Sequence, residues 1–395
     1  MKNGGSKKIY LSSPTMHGEE QQYIKEAFDT NWVAPLGPNV NAFEKEMCDY
    51  TGIGHACALS AGTAAIHLAL KLVGVEQGDV VFTSSLTFAA TCNPITYEKA
   101  VPVFIDSERD TWNISPEALR KAYEKYPNPK AIVYAHLYGT PAKIDEIMAI
   151  AREHNTPVIE DAAEALSSTY KGKHCGTFGN IGVYSFNGNK IITTSGGGML
   201  ISDREEDTQK ALWLATQTRD PARYYQHTTI GYNYRMSNIV AGVGRGQLLH
   251  LEEHKKLKKA IYEEYKKAFA DIDAISMNPL NPEGDANCWL SCMTIDPSKS
   301  DVTPDMIMDA LDAENIESRP IWKPMHLQPV YAGNDFFTAE GIQGNCAKEI
   351  GDNGVGWDKS VGGDIFRHGL CLPSDIKNTP EDMNRIIGIV RKCFE

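Results

Sequence analysis

The sequence has no apolar run approaching the roughly 18 residues that a membrane-spanning helix needs. Met1 to Ser6 are polar and glycine-rich, with no apolar stretch behind a basic start, so export is not expected. Positive charge is in short supply: 39 Lys and Arg stand against 51 Asp and Glu, a net −12 with no long basic run. That balance argues against nucleic acid or an anionic membrane as main partner. It leaves small anionic ligands open, because their sites are built locally. The nine cysteines are scattered without any C-x-x-C, and the closest pair, Cys288 and Cys292, lies in an apolar run where buried free thiols are expected. A reducing, cytoplasmic compartment follows from that usage. Neither a Walker A sequence nor G-x-G-x-x-G occurs, so P-loop and Rossmann dinucleotide readings lack their signature.

What is present is ordinary globular composition, 42% apolar and 23% charged. Short apolar runs at 56–60, 80–84, 101–106, 131–136, 158–161, 182–186 and 198–202 alternate with amphipathic stretches such as 64–73, 116–126 and 144–154. This alternation predicts βαβ units and a mostly parallel, helix-covered sheet. A long charged helix is expected at 247–270, followed by one strand at 289–295, a helix at 304–314, an extended piece at 319–324 and a last helix after Pro380. The expected division is a large domain, 1–255, and a smaller α+β domain, 256–395. Residues 341–369 hold eight glycines and little periodicity, which reads as a long surface loop.

Ligands of open α/β sheets sit beyond the carboxyl ends of strands, and the run 158–161 ends in Glu160 and Asp161. A carboxylate there could pair with a core arginine, cap a helix, or hold a proton on a ligand's ring nitrogen. Gly62 and Thr63 follow a strand at a helix start, where free N–H groups and the dipole favour a phosphate; Thr63 as an ordinary N-cap is the alternative. Lys190 lies in the polar turn Asn187-Gly188-Asn189-Lys190 between two apolar runs. A partly desolvated lysine in such a turn can form Schiff bases. His250 and His254 share a helical face, but their charged, solvated setting lacks the H-E-x-x-H order, and no metal is expected. Gly242, Gly244 and Gly246 read as close helix packing.

In this order the signals resemble the DegT/DnrJ/EryC1/StrS sugar aminotransferases, which are fold-type I pyridoxal phosphate enzymes. The resemblance runs from Trp32 and Gly37-Pro38 to the segment 369–374, and is strongest at 159–166 and 185–200, with 319–326 in support. Within the family it is greatest to the C4 aminotransferases that act on UDP-4-keto-6-deoxy-GlcNAc in the bacillosamine pathway. It implies a large domain with a mostly parallel, mixed sheet covered by helices and a smaller C-terminal α+β domain. It further implies that Lys190 carries pyridoxal 5'-phosphate as a Schiff base and that Asp161 partners the pyridinium nitrogen. Phe88 would stack on the ring, Gly62, Thr63 and Ser185 would hold the phosphate, and Glu164 would lie near the ring hydroxyl. Asn233 would reach the phosphate from a neighbouring subunit, making the active unit a homodimer with its site at the interface. Arg319 and Lys323 would meet a diphosphate, and His326 the sugar.

The implied reaction passes an amino group from L-glutamate to the C4 ketone of a UDP-linked 4-keto-6-deoxy sugar, with pyridoxamine phosphate between two half-reactions. Transfer at C3 of a nucleotide-linked keto sugar, and a non-catalytic, regulatory pyridoxal phosphate binder, are the alternatives. A dehydratase of this fold is disfavoured, because that branch replaces the lysine with histidine. Two departures bear on the sugar pocket: the long glycine-rich stretch, and Asp375 where the family commonly has glycine.

Overall fold

The computed structural model describes residues 7–343 and 360–395. Nine strands form its large sheet. In chain order the strands are β1 (His55–Leu59), β2 (Val80–Ser84), β3 (Val101–Ile105), β4 (Ala131–Ala135) and β5 (Val158–Asp161). Next come a two-residue hairpin, β6 (Thr169–Tyr170) with β7 (Lys173–His174), and then β8 (Ile181–Ser185) and β9 (Gly198–Ser202). The remainder are β10 (Ile275–Met277), β11 (Gly284–Asp285), β12 (Ser291–Ile295), β13 (Arg319–Pro320), β14 (Phe336–Thr338), β15 (Gly341–Gln343) and β16 (Gly369–Leu372).

The large sheet runs β1-β9-β8-β5-β4-β2-β3-β14-β15. Its interior is parallel from β8 to β14, while β9 pairs antiparallel with both β1 and β8. The interior strands read VVFTS, AIVYA and VIED because helices cover both faces, so every residue of β4 and β5 is buried. Helices α1 (Glu19–Asp29) and α2 (Pro38–Thr51) precede the sheet, and α3 (Gly62–Leu72) follows β1. Then come α4 (Asn93–Tyr97), α5 (Pro116–Lys125), α6 (Ile144–Glu153), α7 (Glu205–Ala215), α8 (Asn238–Leu248) and α9 (Leu251–Ala268). Among the described residues no helix is long and apolar enough to cross a membrane.

The expected helix over 247–270 begins later, at Leu251, and the glycine-spotted stretch before it is α8. A Cβ on Gly244 would meet the Phe43 ring at 2.6 Å, and one on Gly246 would meet the Glu20 backbone nitrogen at 2.6 Å. These glycines let α8 lie directly on α1 and α2. After α9 an antiparallel sheet, β10-β12-β16-β13, packs with the helices Pro304–Ala313 and Pro380–Lys392 around a separate apolar core. Two segments cross the expected cut at residue 255. Ile9 bridges Ile316 and sits in that second core, and β14 returns to pair with β3 at the edge of the large sheet. The stretch expected as one loop, 341–369, begins in β15 and ends in the helix Val361–His368 and the start of β16; its residues 344–359 lie outside the described residues.

Candidate active site

Strand alternation separates the two acids that end β5. Glu160 turns to one face and is fully enclosed, accepting from the N–H groups of Gly176, Phe178 and Gly179 and pairing with His136 Nε2 at 3.0 Å. Burial alone would raise its carboxyl pKa, but the His136 contact and the backbone donors hold it below the ordinary value. Asp161 turns to the other face. Its Oδ2 accepts from the Thr91 hydroxyl at 2.7 Å, its Oδ1 from the Ala163 N–H at 3.1 Å, and Thr91 contacts Thr87 at 2.7 Å. Glu160 is a packing acid; Asp161 faces a cavity of about 320 Å³.

Gly62, Thr63, Phe88, Glu164, Ser185 and Lys190 line the same cavity. The helix α3 points its first turn into it. Its N-cap is Ala61, which offers no side-chain cap, so Thr63 sits inside the helix and the alternative reading of Thr63 as the cap is set aside. A Cβ on Gly62 would lie 3.0 Å from the Ser185 Cβ, and one on Gly198 would lie 2.4 Å from the Gly62 nitrogen. Glycine at both places lets the helix start, the end of β8 and the start of β9 converge on one anion-sized cradle.

Lys190 follows β8 in a turn. Its Nζ lies 3.7 Å from Glu164 Oε1 and 4.0 Å from the centroid of the Trp289 ring, with the side chain 10% exposed. Trp289 Nε1 donates to the carbonyl of Asn189 at 2.7 Å and so fixes the turn. Glu164 also accepts from the Tyr138 N–H at 2.7 Å. Burial is the main reason that its carboxyl is pushed up to about 7; the charge of Lys190 works the other way, and Asp161 adds to the rise. Phe88 leaves 57% of its surface exposed, its ring edge-on to Trp322 at 5.3 Å.

A second, larger cavity of about 660 Å³ opens beside the first and shares Phe88, Trp289 and Trp322 with it. Arg319 and Lys323 line it, with Leu11, Ser12 and Glu317. Arg319 pairs with Glu317, which also accepts from the Leu11 N–H at 3.1 Å. Asp375 is buried and accepts from the Ser13 N–H at 2.9 Å and from the Ser13 hydroxyl. The Asp375 side chain thus anchors the N-terminal segment forming this wall.

His326 is not brought to either cavity. It is buried, its Nδ1 bonded to the Ser85 hydroxyl, its Nε2 3.4 Å from the Ser360 hydroxyl and its ring stacked on Phe336 at 3.7 Å. Among the described residues it contacts Ser85, Ser360 and Phe336, and the expected sugar contact has no support from either cavity. Asn233 is exposed, bridged to Thr216, and lines neither cavity of its own chain. Sequence reasoning gave no role to Thr91, Trp289 or Trp322. Trp289 opened an apolar run read as strand, and Trp322 stood in a quoted motif without a function.

An uncapped helix start, a carboxylate at a strand end, a shielded lysine and an open aromatic face fit a flat, phosphorylated heteroaromatic ring. The comparisons agree. A model of the DegT/DnrJ/EryC1/StrS aminotransferase family matches residues 14–346. The Bacillus subtilis protein EpsN, named for pyridoxal phosphate-dependent aminotransferase activity, is 49% identical over 392 residues, covering 98% of this chain and 96% of that protein. The GDP-perosamine synthase of Caulobacter vibrioides is 38% identical over 326 residues, 82% of this chain and 87% of its own. The crystal structure of a DegT DnrJ EryC1 StrS aminotransferase from Brucella abortus superposes with a TM-score of 0.83 at 26% identity, covering 95% of each chain.

Proposed function

The chain belongs to the DegT/DnrJ/EryC1/StrS aminotransferase family, and from that premise we propose that it moves an amino group from L-glutamate to the C4 ketone of a UDP-linked 4-keto-6-deoxy sugar. That it is a pyridoxal phosphate-dependent sugar aminotransferase follows from the family and its relatives. The observation that carries the finer reading is the pair of joined cavities. Lys190, Asp161 and the start of α3 share the smaller one, and Arg319 and Lys323 line the larger. The name GDP-perosamine synthase supports a nucleotide-linked sugar as substrate class; uridine and C4 rest on the resemblance at 159–166 and 185–200.

When bound, pyridoxal phosphate supplies an electron sink for the substrate carbon that loses a proton. Every other task falls to side chains. The first-turn N–H groups of α3, with the Ser185 hydroxyl, hold the phosphate. Asp161, oriented by Thr91 and by the Ala163 N–H, keeps a proton on the ring nitrogen. Phe88 covers one ring face. Lys190 Nζ holds the cofactor between turnovers and, once released, carries the proton to and from the substrate carbon. Glu164, poised near neutrality beside Lys190, can accept or return a proton there. Arg319 and Lys323 meet the diphosphate. Asn233 serves the site of a second copy of the chain, so the working unit is a homodimer in the cytoplasm. Two half-reactions in one site give ping-pong kinetics.

The test is incubation with UDP-4-keto-6-deoxy-GlcNAc, L-glutamate and pyridoxal phosphate, with NMR of the product. An amine at C4 is expected. An amine at C3, or an unchanged ketone while other nucleotide-linked keto sugars react, overturns the assignment.

A further inference from the structure

On their helix, His250 and His254 are two imidazoles one turn apart in a charged sequence. The fold adds a third. Because Gly246 lets the backbone of Glu20 approach α8, the segment leading into α1 passes directly over the α8–α9 junction and delivers His17 there. The His17 ring stacks on His250 with centroids 3.6 Å apart and planes 6° from parallel. His17 Nε2 lies 2.7 Å from His254 Nε2. Glu253 joins the group: one ligand atom each from His17, His250 and Glu253 falls within 4.8 Å of the others.

The protons here are constrained. His254 Nδ1 lies 2.8 Å from the carbonyl of Ile191, an acceptor only, so that nitrogen carries the hydrogen. The neutral ring then presents a lone pair from Nε2 toward His17. A His17 Nε2–H donating to it makes this an ordinary N–H···N hydrogen bond at 2.7 Å, and a neutral His17 then carries its own lone pair on Nδ1. The Ile191 carbonyl thus fixes the His254 ring, and His254 in turn orients His17.

We propose that His17, His250 and Glu253, with His254 alongside, bind one divalent cation of the zinc class. The donor set is imidazole nitrogen plus carboxylate oxygen, which suits zinc among the abundant divalent ions and disfavours magnesium and calcium. Zinc–nitrogen bonds of ~2.0–2.1 Å require the stacked His17 and His250 rings to turn out of their parallel arrangement so that their in-plane lone pairs converge. The cluster is partly open to solvent, so water completes the coordination. Glu19, 3.2 Å from His250 Nε2, adds negative charge. The nearest opposing charge is Lys258, one turn beyond His254. Its ammonium is turned away, toward the Ser12 hydroxyl at 2.9 Å and the Ser374 carbonyl at 2.6 Å.

The placement gives the cation a use. Ile191 directly follows Lys190, so a cation on this cluster ties the N-terminal segment and α9 to the back of the turn that holds the lysine. It touches neither cavity and takes no part in proton transfer.

The experiment is zinc titration of the purified holoenzyme after EDTA treatment, by isothermal titration calorimetry, with zinc counted by mass spectrometry after gel filtration. One zinc per chain with saturable binding is expected. His17→Gln and His250→Gln should each weaken it by ~10-fold or more, whereas Lys190→Ala should bind as the wild type does. His250 lies at the helix start on the surface, so its variant keeps the test usable if the His17 variant misfolds. No saturable zinc binding, or equal binding by wild type and His250→Gln, overturns the proposal.

Discussion

The two joined cavities differ in how they are built. The smaller one lies beyond the carboxyl ends of β5 and β8, and most of its wall is short, continuous pieces, 60–63, 161–164 and 185–190, with Phe88, Trp289 and Trp322 closing the side it shares with the larger cavity. Each piece is a strand end running into a turn or helix, where the parallel sheet leaves backbone groups unpaired and side chains aimed outward. The larger one is assembled from segments remote in sequence: Leu11 and Ser12, Trp289, and 317–323. It depends on the second sheet being docked against the first and on Asp375, Glu317 and Lys258 holding the N-terminal segment in place. Under the proposed function, cofactor chemistry resides mainly in strand-end motifs and substrate selection mainly in long-range packing.

That contrast can be broken by substitution, beginning with the largest effect. Asp161→Asn should lower kcat by ~10²- to 10³-fold, because the fixed charge at the ring nitrogen is lost while the cavity keeps its shape. Steady-state kinetics with glutamate checks this; a loss confined to KM would place Asp161 outside the cofactor chemistry. Glu164→Gln should act on stability through pH. In the folded chain burial pushes the Glu164 carboxyl up to about 7 from an ordinary 4.5. The folded state therefore binds its proton more tightly, and that advantage is full below pH 4.5 and lost as pH rises through 7. The cofactor-free variant should accordingly gain on the wild type as pH rises from 5 to 8, by about 3 kcal/mol at most. Thermal unfolding at several pH values measures it, and a pH-independent difference would contradict the burial argument. Arg319→Ala should have the smallest effect, raising KM for the nucleotide sugar ~10-fold with kcat and the glutamate half-reaction unchanged. An equal loss in the glutamate half-reaction would erase the division between the cavities.

The same contrast explains what could be read in advance. All seven early strands were placed within one residue of both ends, because buried strands of a helix-covered sheet are nearly unbroken apolar runs. The antiparallel edge at β9 was not legible as such, since a strand's direction depends on which neighbour it meets. Asp161 was set apart from Glu160 only by the family resemblance; the pleat and the donors at 176–179 give the physical reason that Glu160 is the packing acid. Trp289 escaped because nothing in its own sequence says that Lys190 lies over its ring. For His326 the surrounding motif carries no information on its setting, because Phe336 and Ser85, remote in sequence, pack against the imidazole. His17 had no local signal at all, its partners being more than two hundred residues away.

One measurement bears most directly on the claim that Lys190, Asp161 and the start of α3 form a single cofactor site. Holoenzyme reduced with sodium borohydride and digested should carry the pyridoxyl group on the peptide containing Lys190 and on no other. A label on Lys255 or Lys258, or label spread over surface lysines with Lys190 unmodified, would contradict it.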